Sequence, residues 1–170
     1  MPVEILLMAP EHLNDVFRIE QASFALPWSR ESFLSEITDN IYATYVVAMM
    51  PGNQEVVGYA GMWVIFTEAH ITTLAVDSSH RRKYIGSLLL SRLLREAFLR
   101  GARFMILEVR NSNSHAKKLY EKYCFQVQGI KKQYYHDEDA VVMSRPIMSF
   151  LRNDEQGRVA DVSQDTDPGH

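Results

Sequence analysis

The stretch HRRKYIGSLLL, residues 80–90, decides how this chain is read. Arg81, Arg82 and Lys83 run into Tyr84, Ile85 and Gly86, and an apolar run follows. Behind it lies AHITTLAVD (69–77), whose apolar and β-branched residues read as a strand. Ahead of it, Ile85, Leu88, Leu89, Leu93, Ala97 and Phe98 recur at helical spacing, and Gly101 is placed to end the helix. A strand, a basic loop and a helix in this order can hold an anion. The first N–H groups of a helix have no internal partner and lie at the positive end of its dipole. The same residues also read as a solvated, ordinarily capped helix start. Tyr84 sets a bulky side chain where such a turn favours none.

Working outward, RFMILEV (103–109) reads as the next strand and residues 113–123 as a short helix. Strand, helix, strand, helix implies a parallel pair with a crossover. Upstream, residues 3–8 read as a strand and 10–22 as a helix carrying Leu13, Val16, Phe17 and Ile19 on one face. FALPWS (24–29) breaks that helix, and Ser29 can cap a second one through about Asp39. Residues 43–49 and 55–66 read as strands paired through a turn at Pro51, Gly52 and Asn53. Two more strands, about 126–132 and 139–146, close the pattern. These flanking strands read as antiparallel, so the expected class is α/β of the α+β kind with a mixed sheet.

The composition bounds the function. A chain of 170 residues, 46% hydrophobic and 23% charged, suits one soluble domain. No run approaches the roughly 18 apolar residues of a membrane span. MPVEILLMAPEH has no basic start, so it does not read as a signal peptide. The single Cys124 excludes an intramolecular disulfide, and a cytoplasmic location is expected. Residues 151–170 hold Asp154, Glu155, Asp161, Asp165 and Asp167 against two arginines, which matches the net −3 of the whole chain. The remainder is neutral, which argues against a general nucleic-acid binder. The acidic end is read as a disordered tail outside the domain.

Two residues stand out chemically. Glu108 is a lone carboxylate in an apolar strand. It either faces solvent or sits in a polar cleft, where a raised pKa would suit a general base. Tyr120 reads as a core aromatic with a satisfied hydroxyl, or as a proton donor. Either Asn111 or Asn113 can cap the helix that follows. His70, His80, His115 and His136 show no metal-ligand spacing, and neither GxSxG nor a P-loop is present.

Taken together, LAVDSSHRRKYIGSLLL (74–90) and LEVRNSNSHAKKLYEKYCF (107–125) resemble the GNAT acetyltransferase superfamily over residues 1–149, leaving 150–170 as the tail. FALPWSRESFLSEI (24–37), LEVRNSNSHAKKLY (107–120) and YYHDEDAVVMSRP (134–146) narrow the resemblance. They resemble the bacterial branch that acetylates the N-terminal alanine of a small-subunit ribosomal protein. The resemblance implies a mostly antiparallel twisted sheet with a central splayed parallel pair and helices on both faces. It implies acetyl-CoA as co-substrate and no metal. The backbone of Leu74, Ala75 and Val76 would meet the pantetheine arm, with the Val76 N–H stabilising an oxyanion. Arg82, Lys83, Tyr84, Ile85, Gly86 and Ser87 would cradle the pyrophosphate, and Asn113 would hydrogen-bond the cofactor. Glu108 would accept the amine proton, and Tyr120 would protonate the leaving thiolate.

The implied partner is a protein N-terminus met by a monomer, with no direct nucleic acid and no membrane. FALPWS and YYHDEDA would flank the acceptor, with Trp28, Tyr134 and Tyr135 available to line it. Trp28 equally reads as a core plug. Asp137, Glu138 and Asp139 would attract a basic peptide or simply be solvated. The family's usual glycines are replaced at Tyr84 and Cys124, the latter at a helix end that favours left-handed backbone. The replacements keep other readings open: acetylation of other N-termini or small amines, or a weak acetyl-CoA-binding regulatory module.

Overall fold

Alternation along ATYVVAM sets the architecture. In β2 (Ala43–Met49), Tyr45 and Val47 face one helical layer while Val46 and Ala48 face another. A strand buried on both faces must sit inside a sheet covered on both sides. The computed structural model describes residues 2–147. The expected tail at 150–170 lies outside the described residues, as do residues 148 and 149.

One layer is built by α1 (Leu13–Ser23) and α2 (Arg30–Thr38). Leu13, Val16, Ile19 and Phe33 bury against Tyr45, Val47, Tyr59 and Ala75. The helix expected from residue 10 opens instead with a single 3₁₀ turn at Pro10–His12, and regular helix begins at Leu13. Proline is tolerated there because a first-turn N–H has no helical acceptor. The Ser29 hydroxyl accepts the Ser32 N–H at 3.1 Å, capping α2 as the sequence suggests.

The opposite layer is α3 (Ile85–Leu99) and α4 (Ser114–Lys122). Leu89, Leu90, Leu93, Leu94 and Ala97 are fully buried along α3. The helix ends where Gly101 takes φ +89° and the Ala102 N–H reaches the Ala97 carbonyl at 2.9 Å.

Between the layers lies one sheet of seven strands. Besides β2 it contains β1 (Glu4–Leu7), β3 (Val56–Ile65), β4 (Glu68–Val76), β5 (Phe104–Arg110), β6 (Gln126–Tyr135) and β7 (Glu138–Pro146). The spatial order is β1-β2-β3-β4-β5-β7-β6, and β4 with β5 is the parallel pair. The last hairpin runs longer than its residues suggest, because register shifts at Val127/Gly129 and Lys131/Tyr135 let β6 continue to Tyr135. Tyr45 lies opposite Gly61, and a Cβ added at Gly61 would stand 2.1 Å from the Tyr45 ring. Only glycine leaves room for that aromatic.

Candidate active site

The parallel pairing is short. β4 and β5 are matched only at Glu68↔Phe104, Ala69↔Met105 and His70↔Ile106. Beyond His70 the strands part, where the β3–β4 ladder slips one residue between Gly61 and Met62. A bulge of this kind bends and twists its strand, and here it turns β4 away from β5. The result is a cleft at the carboxyl ends of the two strands.

One wall of the cleft is an unpaired backbone edge. The Asp77 N–H donates to the Val57 carbonyl at 2.8 Å, so Asp77 faces β3. Hydrogen-bonding direction alternates along an antiparallel strand. Val76 and Leu74, opposite Gly58 and Ala60, therefore point their N–H and C=O groups into the cleft. Ala75, between them, uses its backbone on β3 and buries its methyl under α1 and α2. The expectation that Ala75 also offers backbone to a pantetheine arm does not suit this alternation.

The turn leading into α3 is strained. Arg82 has φ +62° and Tyr84 φ +63°, both left-handed. This backbone reversal places Tyr84 at the helix start and leaves the first-turn N–H groups of Ile85, Gly86 and Ser87 without intrahelical acceptors. Arg82 and Lys83 are exposed beside them, and Tyr84 is half-buried. Gly86 has ordinary φ, and its lack of a side chain matters for closeness. A Cβ there would stand 3.4 Å from Leu119 of α4 and 3.9 Å from Leu74 and Val76. A free strand edge continuing into a helix start ringed by arginine and lysine fits the extended amide arm and pyrophosphate of acetyl-CoA.

Glu108 sits on the opposite cleft wall. Alternation in β5 sends Met105, Leu107 and Val109 into the α3–α4 layer and turns Glu108 to the other face. Its side chain is only 6% exposed. His70 Nε2 lies 2.6 Å from one carboxylate oxygen, Lys131 Nζ lies 3.3 Å from the other, and the Tyr134 hydroxyl makes a longer 3.4 Å contact. Burial alone pushes this carboxyl up. The hydrogen bond and charge of His70, then Lys131, outweigh burial and hold it below the usual 4.5. The raised pKa expected for a cleft acid is thus corrected: Glu108 is an ionised carboxylate in a polar cluster. Being ionised it can only accept, so His70 carries its proton on Nε2.

Tyr120 lies in the α3–α4 layer, on the far side of the sheet from Glu108. Its ring meets Phe125 edge-on at 5.6 Å. Burial pushes its phenol up, with Tyr135 adding to the effect, so it stays protonated. The hydroxyl has no hydrogen-bond partner among the described residues, unlike the satisfied core tyrosine that was the alternative reading. Asn113 caps α4, its Oδ1 accepting the Ala116 N–H at 3.1 Å, which leaves its amide Nδ2 as the group available to a ligand.

The flanking segments are held by specific contacts. Trp28 is half-buried and packs on Phe33 at 5.4 Å at the edge of the α1–α2 layer. Its backbone N–H donates to buried Glu20, which also accepts from the Tyr59 hydroxyl. Asp137 and Glu138 both pair with Arg110, Glu138 accepts the Ser112 N–H, and Asp139 accepts the Gln133 N–H. These acids tie down the β6–β7 turn. Arg110 also stacks on the Tyr135 ring at 4.3 Å. Among the described residues no group of three His, Cys, Asp or Glu side chains is placed to hold a metal, and no helix is long and apolar enough to cross a membrane.

His70, the hydrogen-bond partner of Glu108, is the member of this cluster that sequence reading missed. A histidine in a strand carries no local sign of its partner, and Glu108 lies 38 positions away.

Comparison with known proteins agrees with this architecture. The profile of the Acetyltransferase (GNAT) family matches residues 13–124. A Bacillus subtilis (strain 168) relative, provisionally named a [ribosomal protein bS18]-alanine N-acetyltransferase, is 38% identical over 138 residues, 80% of this chain and 90% of its own. The Escherichia coli (strain K12) [ribosomal protein bS18]-alanine N-acetyltransferase is 35% identical over 139 residues, 79% of this chain and 91% of its own. The crystal structure of the Escherichia coli ribosomal-protein-S18-alanine N-acetyltransferase superposes with a TM-score of 0.76 at 32% identity, over 85% of this chain and 94% of that one. The chain belongs to the GNAT acetyltransferase family.

Proposed function

We propose that this enzyme acetylates the N-terminal α-amine of a protein, specifically the N-terminal alanine of a small-subunit ribosomal protein in the cytoplasm. Acetyl-CoA supplies the acetyl group as a thioester. The observation that carries the reading is the His70–Glu108 pair facing the free backbone edge of Leu74 and Val76 across the splay. The similarity to relatives named for bS18 supports the choice of acceptor.

The placement of these groups supports the following roles. Arg82, Lys83 and the first-turn N–H groups of α3 hold the pyrophosphate; Asn113 Nδ2 and the β4 edge hold the arm. The Val76 N–H donates to the carbonyl oxygen as it gains charge. Glu108 accepts the amine proton, with the His70 Nε2–H donating to its carboxylate and orienting it. Tyr120 donates to the leaving sulfur from the other side of the sheet. Base and acid thus lie on opposite faces, and the amine and the cofactor enter from different sides.

A lowered carboxylate pKa makes Glu108 a weak base, which selects an easy substrate. An α-amine titrates near 8, so freeing it of its proton near pH 7 takes about 1.4 kcal/mol. A lysine side chain, near 10.4, takes more than twice that.

The test is thiol release from acetyl-CoA with peptides that begin with alanine, serine or methionine, and with an N-terminally blocked peptide offering only lysine. Turnover concentrated on the alanine peptide is the expected result. Equal turnover of the blocked peptide would overturn the α-amine assignment, and binding of acetyl-CoA without any turnover would favour a regulatory module.

A further inference from the structure

α4 lies across the start of α3, as the approach of Leu119 to Gly86 shows. Lys122 follows Leu119 by one turn on the same strip of helix. Its Nζ is shielded from solvent and has no hydrogen-bond acceptor among the described residues. No carboxylate there lies within ion-pair distance of it. What it has is the Tyr84 ring, with Nζ 6.0 Å from the centroid. At that separation a ring face compensates only part of an ammonium's lost hydration. A buried, unpaired charge is among the least favourable arrangements in a protein. The Ser87 hydroxyl, in the first turn of α3, is likewise buried and without a hydrogen-bond partner among the described residues; the residue is 2% exposed. Tyr84 itself holds a left-handed backbone that a bulky residue rarely adopts. Two buried polar groups lacking acceptors and one strained aromatic therefore converge on the α3 start, where an anion belongs.

We propose that Lys122 and Tyr84 form a clamp for a phosphate group of the coenzyme, Lys122 supplying the counter-charge and the Tyr84 ring holding it in place. The inference rests on acetyl-CoA being the acetyl donor. The phosphate is either part of the pyrophosphate or the 3′-phosphate on the ribose.

Affinities of wild type, Lys122→Met, Lys122→Arg and Tyr84→Gly are measured for CoA and for dephospho-CoA, with turnover on acetyl-pantetheine as a phosphate-free control. Lys122→Met is expected to weaken CoA binding by about tenfold or more, the scale of a lost charged hydrogen bond. Lys122→Arg retains most of the affinity, and acetyl-pantetheine turnover is unchanged in both. Raising the salt narrows the gap between wild type and Lys122→Met. A loss equal for CoA and dephospho-CoA assigns the pyrophosphate; a loss confined to CoA assigns the 3′-phosphate. Tyr84→Gly is expected to weaken CoA binding as well, because the ammonium loses its seat. If wild type binds CoA and Lys122→Met binds it equally well, or loses acetyl-pantetheine turnover in proportion, the clamp is wrong while the acetyl-CoA reading stands. If wild type binds no CoA, both fall.

Discussion

At the scale of the residue, Glu108 is the proposed base, and His70 and Lys131 hold its carboxyl below the ordinary value. Glu108→Gln keeps the shape and the His70 contact but removes the proton acceptor. Turnover is expected to fall about 10²- to 10³-fold with CoA affinity unchanged, read by steady-state kinetics beside a direct binding titration. The pH dependence has a definite sign. The folded carboxyl titrates below 4.5, so its ionised form adds stability above that value and loses it as pH falls through the lowered one. Between pH 5 and 9 Glu108 stays ionised. The activity profile should therefore follow the acceptor amine and rise toward about pH 8. A limb near pH 6 that disappears in Glu108→Gln would contradict this. Cys124 makes a separate point. It is exposed and sits at φ +69°, just past the end of α4. Cys124→Gly should gain about 1 kcal/mol, seen as a rise in Tm of about 2–4 °C, with kcat unaltered.

At the scale of the element, the α1–α2 connection is held from beneath. Glu20 is 4% exposed and takes the Trp28 N–H and the Tyr59 hydroxyl. Both the connection and Glu108 lie on the α1–α2 side of the sheet. Glu20→Ala leaves two inward-facing donors unpaired and should cost at least about 2 kcal/mol. The expected kinetic signature is a higher KM for the peptide with CoA affinity kept. A change in CoA affinity alone would show that this connection does not border the acceptor. The local signals for these elements were readable: the Ser29 cap, the Gly101 stop and the strand–helix–strand order around residues 69–109 all occur as their residue types imply. The bulge that ends β4–β5 pairing after His70 was not readable, because it depends on how β3 meets β4.

At the scale of the whole molecule, the sheet separates Glu108 from Tyr120 on opposite faces, with the splay between β4 and β5 beside them. β7 brings the described fold to its end at Ile147, which is fully buried and donates its N–H to the Arg103 carbonyl at 2.9 Å. A chain ended after residue 149 keeps that anchor. Its Tm and its turnover of an alanine peptide are expected to equal those of the full chain. A marked rise in KM on removing the acidic end would instead tie residues 150–170 to the acceptor.

By itself, the sequence determined the element order, the basic turn into α3 and the lone carboxylate in β5, since spacing and residue type act over a few neighbours, while the helices on both faces followed from the family resemblance. Tertiary structure decided what surrounds those parts. Glu108 sits below the ordinary carboxyl value, against the push of burial, because β4 brings His70 to 2.6 Å from it and β6 brings Lys131. Val76 faces the cleft because β5 leaves its side of β4 unpaired. Lys122 looks like any helical lysine until α4 buries it over Tyr84. Charge states and free hydrogen-bonding edges depend on what lies within a few ångströms, and those neighbours come from distant parts of the chain.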